Sequence, residues 1–400
     1  MLDHSRASFD VIVEKDVASW NALLTAYAHS GYLGCQRAIC CFFQLDLEGV
    51  KPDFFTFVGL VSACTQLEDL SQGTVIHRRI LALGFENAVS IQNALVYMYA
   101  KCGCIESSQA MFDRIIGKDV VAWTALITAI AKTGQIHQAM ELFLVMDLEG
   151  IQPSVPTFAI ILSACSSVAQ LVAGRAIHRK LEGLHDVIFP AVVAALLNLY
   201  GRCGSLAEAS ALFNASHKRT VASWNAMIAA YAQHGHLPES LDLVHQMQLH
   251  GSLPDKFTYI EILQACSHSG TRNLGWSYFV RMGMDHGLIP AIEHYVCVVD
   301  LLGRIGQLEL AERVVKGLPY EPDVAAWNSL LGSCKIQGDM PRAQDTVGAV
   351  LKLQAESAAP YVLLANLYAA ARRWEDVATV RKAMADRGIR KPTGRSFQCL

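Results

Sequence analysis

The stretch FTFVGLVSAC at 55–64 recurs as PTFAIILSAC at 156–165 and again as FTYIEILQAC at 257–266, each time 101 residues further on. Cys64, Cys165 and Cys266 thus hold equivalent places, as do Phe57, Phe158 and Tyr259. The same spacing relates His77 to His178, Cys102 to Cys203, Phe112 to Phe213, Trp123 to Trp224 and Pro153 to Pro254. Self-similarity at a fixed period marks a chain of stacked supersecondary units, so the repeat governs every later reading.

A period of 101 residues is too long for one helical hairpin, and it divides internally. Units at 17–53, 54–88, 89–119, 120–154, 155–189, 190–220, 221–255 and 256–291 have lengths of 37, 35, 31, 35, 35, 31, 35 and 36 residues. A ninth unit spans 292–323, and the first carries two extra residues in its inter-helix turn, near Tyr32 to Gln36. Each unit reads as two helices. In 120–154 the first is VAWTALITAIAKTG, with apolar residues at helical spacing and a glycine stop at Gly134. The second, HQAMELFLVMDLEG, also ends at a glycine, with Pro153 as a breaker beyond it. Neither helix can bury its apolar stripe alone, so stacked neighbours must supply the core. The expected fold class is all-α, a right-handed α-solenoid superhelix of helix-turn-helix repeats. Residues 1–16 read as the second helix of an incomplete repeat, 324–390 as two further hairpins and 391–400 as a tail.

Composition agrees with a folded chain: 52% hydrophobic and 17% charged among 400 residues. A net charge of −3 argues against tight, non-specific phosphate binding. Twelve cysteines without a secretory leader suggest a reducing compartment. The first sixteen residues carry three basic side chains, His4 included, and four acidic ones, which fits neither a signal nor a transit peptide. The uncharged stretch 150–174 holds two prolines among its Ser and Gln residues and fails as a membrane span.

VASWNALLTAYAHSG, VAWTALITAIAKTG and VASWNAMIAAYAQHG closely resemble the first helix of the 35-residue pentatricopeptide repeat. NALVYMYAKCGCIESSQAMFDRI resembles the short motif of the plant mixed-length subclass. The stretch from HYVCVVDLLGRIGQLELAERVVKGLPYEPD to PYVLLANLYAAARRWEDVATVRKAMADRGIRK resembles that subclass's terminal short motif and its two extension motifs. The resemblance covers about 17–391. A tetratricopeptide array would keep a uniform 34-residue period, which the mixed lengths disfavour.

The resemblance implies single-stranded RNA bound one nucleotide per repeat, read by a polar side chain one residue after the Trp or its equivalent and by the last residue of the unit. The pairs are Asn21 with Asp53, Asn93 with Asp119, Thr124 with Ser154, and Asn225 with Asp255. By the same resemblance Asn with Asp prefers uridine, Thr with a small polar partner prefers a purine, and Ala18, Ser90, Val121 and Ala222 sandwich the bases. The competing reading is local: Asp and Asn at these places also cap helices. The long units place Val58/Ala88, Ala159/Phe189 and Ile260/Ala291 at the code positions, apolar pairs that cannot read a base edge, and a short unit places the degenerate pair Ala194/Thr220 there. The terminal short unit, with Val296 and Asp323, lies over the fourth nucleotide upstream of an edited cytidine in the family. One base per unit then puts U at −6, a purine at −9, and U at −10 and −12.

Relatives often end in a zinc deaminase, whose chemistry needs His-x-Glu and Cys-x-x-Cys. Neither motif occurs, no metal or other cofactor is expected, and no catalytic constellation is found. Cys64, Cys165, Cys266, His77 and His178 read as packing residues, and Trp20, Trp123, Trp224 and Trp327 as core. Residues 372–395 hold eight basic and three acidic side chains, suited to phosphate or a protein partner. The expected function is a non-enzymatic site-recognition factor in organellar RNA processing, foremost C-to-U editing, with a deaminase-bearing relative or an editing cofactor acting in trans. No membrane and no small-molecule partner is expected, and mitochondrion or chloroplast follows from resemblance alone. The alternatives are a protein–protein scaffold and a truncated copy without function.

Overall fold

A computed structural model describes residues 2–184, 189–353, 358–386 and 389. The described residues form 23 helices and no strand. They are α1 (Leu2–Asp10), α2 (Val17–Ala28), α3 (Gly31–Leu47), α4 (Phe54–Leu67), α5 (Leu70–Ala82), α6 (Val89–Lys101), α7 (Ile105–Asp113), α8 (Val120–Lys132), α9 (Ile136–Leu148), α10 (Val155–Ser167), α11 (Leu171–Leu184) and α12 (Pro190–Arg202). Then follow α13 (Leu206–Ala215), α14 (Val221–Gln233), α15 (Leu237–Leu249), α16 (Lys256–Ser269), α17 (Arg272–His286), α18 (Ile292–Arg304), α19 (Leu308–Lys316), α20 (Val324–Gln337), α21 (Met340–Leu353), α22 (Ala358–Ala370) and α23 (Trp374–Asp386). The chain divides within α12 into two compact units, 1–195 and 196–400.

In the first unit α2, α4, α6, α8 and α10 lie side by side, each packing on the next, while α3, α5, α7, α9 and α11 back onto their own partners. The second unit repeats the scheme, with α14, α16, α18, α20 and α22 side by side and α15, α17, α19, α21 and α23 behind them. This is solenoid packing: each hairpin touches its neighbours, and no single core forms.

Sequence sets the helix ends. Asp16, Asp53, Asp119, Ser154, Thr220, Asp255 and Asp323 each take extended backbone and accept a backbone N–H from three residues on, which satisfies an otherwise free helix donor. Gly134 stops the first helix of its hairpin at φ 76°, where a Cβ would be strained, and Gln135 N–H closes the turn on Ile130 O at 3.3 Å.

Trp20, Trp123 and Trp224 are fully buried, as the sequence suggests, whereas Trp327 is only partly so. The first three sit edge-on to Phe9, Phe112 and Phe213 of the preceding helix, with ring centroids 4.5, 4.7 and 4.8 Å apart. Thus α1 packs against α2 as α7 packs against α8 and α13 against α14. Cys64, Cys165 and Cys266 are fully buried and joined in no disulfide. His77 Nδ1 meets the Tyr99 hydroxyl at 2.7 Å, and burial pulls its pKa down.

One expectation needs correcting. The extra residues near Tyr32 do not lengthen the turn; they extend α3, which starts at Gly31 and runs for 17 residues against 13 in α9. Glycine at position 34 permits this: a Cβ there would stand 2.3 Å from Tyr27 O, so only a glycine lets the lengthened α3 begin this close to the end of α2. Among the described residues, no helix is long and apolar enough to cross a membrane. Of the basic stretch 372–395, residues 387, 388 and 390–395 lie outside the described residues.

Candidate nucleic-acid interface

The second residue of each first helix faces solvent. Ala18, Ser90, Val121 and Ala222, the expected sandwich positions, are all exposed, and Val121 shows 57% of its surface. Phe55 and Phe257 hold the same place in the long units and are also exposed, with the Lys256 ammonium 5.0 Å from the Phe257 ring centroid. Sequence reasoning passed over these two phenylalanines. Their signal was an apolar residue beside an N-terminal cap, where a core side chain has nothing to pack against.

Three residues further along each first helix come the expected reading residues. Asn21 Nδ2 donates to Asp53 Oδ1 at 2.8 Å, and Asn225 Nδ2 to Asp255 Oδ1 at 3.0 Å. Asn93 Nδ2 lies 3.1 Å from both Asp119 oxygens. Each pair spans neighbouring hairpins, because the aspartate that ends one unit caps the first helix of the next. Asp53 Oδ1 also accepts the Thr56 N–H at 2.9 Å, so capping and pairing share one oxygen and are not alternatives. Burial raises the Asp53 pKa, but hydrogen bonds from the Thr56 N–H and the Asn21 amide outweigh it and hold the carboxyl below its ordinary value.

Thr124 and Ser154 behave differently. Thr124 Oγ1 meets Thr157 Oγ1 at 2.7 Å, and Ser154 Oγ meets the same Thr157 oxygen at 2.9 Å. The two are thus linked through a third hydroxyl. The long-unit positions Val58, Ala159 and Ile260 are half-buried, and Ala194 is buried. Val296 is half-buried, and Asp323 accepts the Ala326 N–H at 2.8 Å as a cap.

Asn328 was also missed. It follows Trp327 as Asn21 follows Trp20, it is half-buried, and its Oδ1 is buried without a hydrogen-bond partner. Asn93 Oδ1 shares that condition. A buried amide oxygen left unpaired costs about 1–3 kcal/mol, so both sites favour an incoming donor.

In each unit, helices paired into tandem hairpins, with polar residues at equivalent places on the first helices, define a helical-repeat protein. Sequence models described as "PPR repeat family" match 118–167 and 219–268, one described as "PPR repeat" matches 93–120, and one described as "E motif" matches 338–397. The chain carries pentatricopeptide repeats and an E motif. It is 35% identical to the pentatricopeptide repeat-containing protein CRR2, chloroplastic, of Arabidopsis thaliana, over 99% of this chain and 61% of that protein. A mitochondrial pentatricopeptide repeat-containing protein of the same plant is 34% identical, over 99% of this chain and 61% of its own length. The chain spans about half to three-fifths of the length of such curated relatives. Among solved structures, maize pentatricopeptide repeat protein PPR10 aligns at 16% identity and TM-score 0.47, covering 95% of this chain and 70% of that one. PPR10 in complex with an 18-nt psaJ RNA element aligns at 16% identity and TM-score 0.39, covering 94% and 70%.

Proposed function

We propose that this chain binds single-stranded RNA along its first helices, reading one base with each of Asn21, Asn93, Thr124 and Asn225. The observation that carries the reading is the amide–carboxylate contact at 2.8–3.1 Å in all three Asn/Asp pairs. An amide held by its carboxylate keeps a donor and an acceptor for a base edge, and each holder is fixed by the helix it caps. Exposed Ala18, Ser90, Val121 and Ala222 would flank the bases. The finer proposal is a site-recognition factor for organellar C-to-U editing, with the deaminase supplied in trans through the E-motif region. The chloroplastic and mitochondrial relatives support an organellar setting.

The test is fluorescence-anisotropy binding, across a salt series, of an RNA carrying U, U, purine and U in the stated register against one with those bases exchanged. A preference for the first probe, lost in the Asn21→Ala/Asn93→Ala/Asn225→Ala variant, is expected. Equal binding to both probes overturns the reading and favours a protein-binding scaffold.

A further inference from the structure

Thr56 is the third residue of α4, and only 1% of it is exposed. Its Oγ1 accepts the Asp53 backbone N–H at 3.1 Å and lies 2.7 Å from Asn21 Oδ1. Thr258, 0% exposed in α16, repeats the arrangement: Oγ1 accepts the Asp255 N–H at 3.0 Å and lies 2.7 Å from Asn225 Oδ1. Each hydroxyl also stands 3.0 Å from the capping carboxylate, but two oxygens at 2.7 Å without a shared proton would repel. The hydroxyl proton therefore lies toward the asparagine oxygen. Both ends of the amide are then held, Nδ2 by the aspartate and Oδ1 by the threonine.

From this geometry we infer that Thr56 and Thr258 are positioning residues that lock the Asn21 and Asn225 amides in one orientation, and so set how sharply those units distinguish uridine from cytidine. The inference rests on the RNA-reading proposal above. A uracil edge offers an N–H donor beside a carbonyl acceptor, while the cytosine edge reverses the two, so turning the amide over exchanges the preferred base. A turned amide at Asn21 would place its oxygen against Asp53 Oδ1 and would lose the threonine proton. Asn93 lacks the second restraint. The third residue of α8 is Ala122, which leaves Asn93 Oδ1 buried and unpartnered with Asp119 alone orienting the amide. Three units with the same Asn/Asp pair are therefore unequal readers: Asn21 and Asn225 are stringent and Asn93 is permissive.

Thr157, 0% exposed, fills the corresponding place in α10. It joins Thr124 and Ser154 through hydroxyls alone, with no carboxylate to bias them. Thr124 Oγ1 also stands 2.6 Å from Val120 O, so that carbonyl takes its proton and its oxygen faces Thr157 as an acceptor.

The experiment uses the whole chain and an RNA set in which each base in turn is U or C, so that the discriminating positions are found without assuming the register. Wild-type protein is expected to prefer U at the Asn21 and Asn225 bases about three- to tenfold more strongly than at the Asn93 base, the worth of one net hydrogen bond. Thr258→Val should remove that excess at the Asn225 base only, while Thr258→Ser, which keeps the hydroxyl, restores it. Circular-dichroism melts identify folded variants. Ala122→Ser tests the reverse, raising discrimination at the Asn93 base. Equal discrimination at all three bases in wild type, or a folded Thr258→Val with undiminished preference, overturns the inference. Absence of any U/C preference in wild type refutes instead the RNA-reading proposal on which it stands.

Discussion

Glu261 gives the sharpest prediction about stability. It lies in α16, beside the α18 thiol Cys297, and its Oε2 is buried with no hydrogen-bond partner. Burial pushes its pKa up to about 7. Burial also pushes Cys297 up to about 12, with the nearby Asp300 and Glu261 charges adding to the effect. The ordinary glutamate value is about 4.3, so over the window from about 4.3 to 7 the folded chain binds a proton that the unfolded chain releases. Folding stability therefore falls as pH rises through that window, and the loss is complete above the folded value. At about 1.4 kcal/mol per pK unit the loss is on the order of 3 kcal/mol by pH 8. Glu261→Gln removes the charge and keeps the shape. Urea unfolding of wild type and Glu261→Gln at pH 4 and pH 8 should show near-equal stability at the lower pH. At pH 8 the variant should be more stable by about 2–3 kcal/mol. A pH-independent difference between the two would refute the account, because only a titrating buried carboxyl makes the gap open with pH.

Two further outcomes follow from packing and capping. Trp123→Ala removes a buried indole and the partner of Phe112, and should cost about 3–5 kcal/mol in the same urea assay, felt most in the hairpins around α8. Asp53→Ala removes a cap and the Asn21 holder together, and should cost about 1 kcal/mol at neutral pH. Because the folded Asp53 pKa is lowered, its stabilisation is full above the unfolded value and is lost as pH falls through the folded one. Melts of wild type and Asp53→Ala should thus converge toward acid pH, and a gap that widens there would contradict the assignment.

The helix starts were legible because they depend on local chemistry. Asp53, Asp119 and Asp255 announce a first helix in one residue, and a glycine such as Gly134 ends it. The buried tryptophans were legible because a 101-residue recurrence of Trp123 as Trp224 marks equivalent places in the fold. What escaped depends on neighbours. The addition near Tyr32 is helix packed close to α2 at Gly34, a distance no spacing reveals. Glu261 sits one residue after Ile260 on a helix whose exposed face cannot be assigned without knowing where α18 packs. Asn328 follows a tryptophan in plain view, but it lies in the extension region, where no reading residue was sought.

Thr56, Thr157 and Thr258 show the same limit from another side. All three stand within the recurring stretch that reveals the period, and alone each reads as the third residue of a capped helix. Only packing brings Oγ1 of Thr56 and Thr258 within 2.7 Å of an asparagine on the previous hairpin. The capping carboxylate and this hydroxyl both belong to the start of the following helix, so a reading residue's orientation is set by the next unit's fold and not by its own. Substitution at a unit's last residue should then separate two effects that look like one. Asp255→Asn preserves the helix cap, since asparagine caps about as well as aspartate. It removes the fixed acceptor that orients Asn225, because an amide can offer either a donor or an acceptor. Thermal stability should change little while the U preference at the Asn225 base weakens. A variant that lost stability and kept its preference would mean that Asp255 only caps α16.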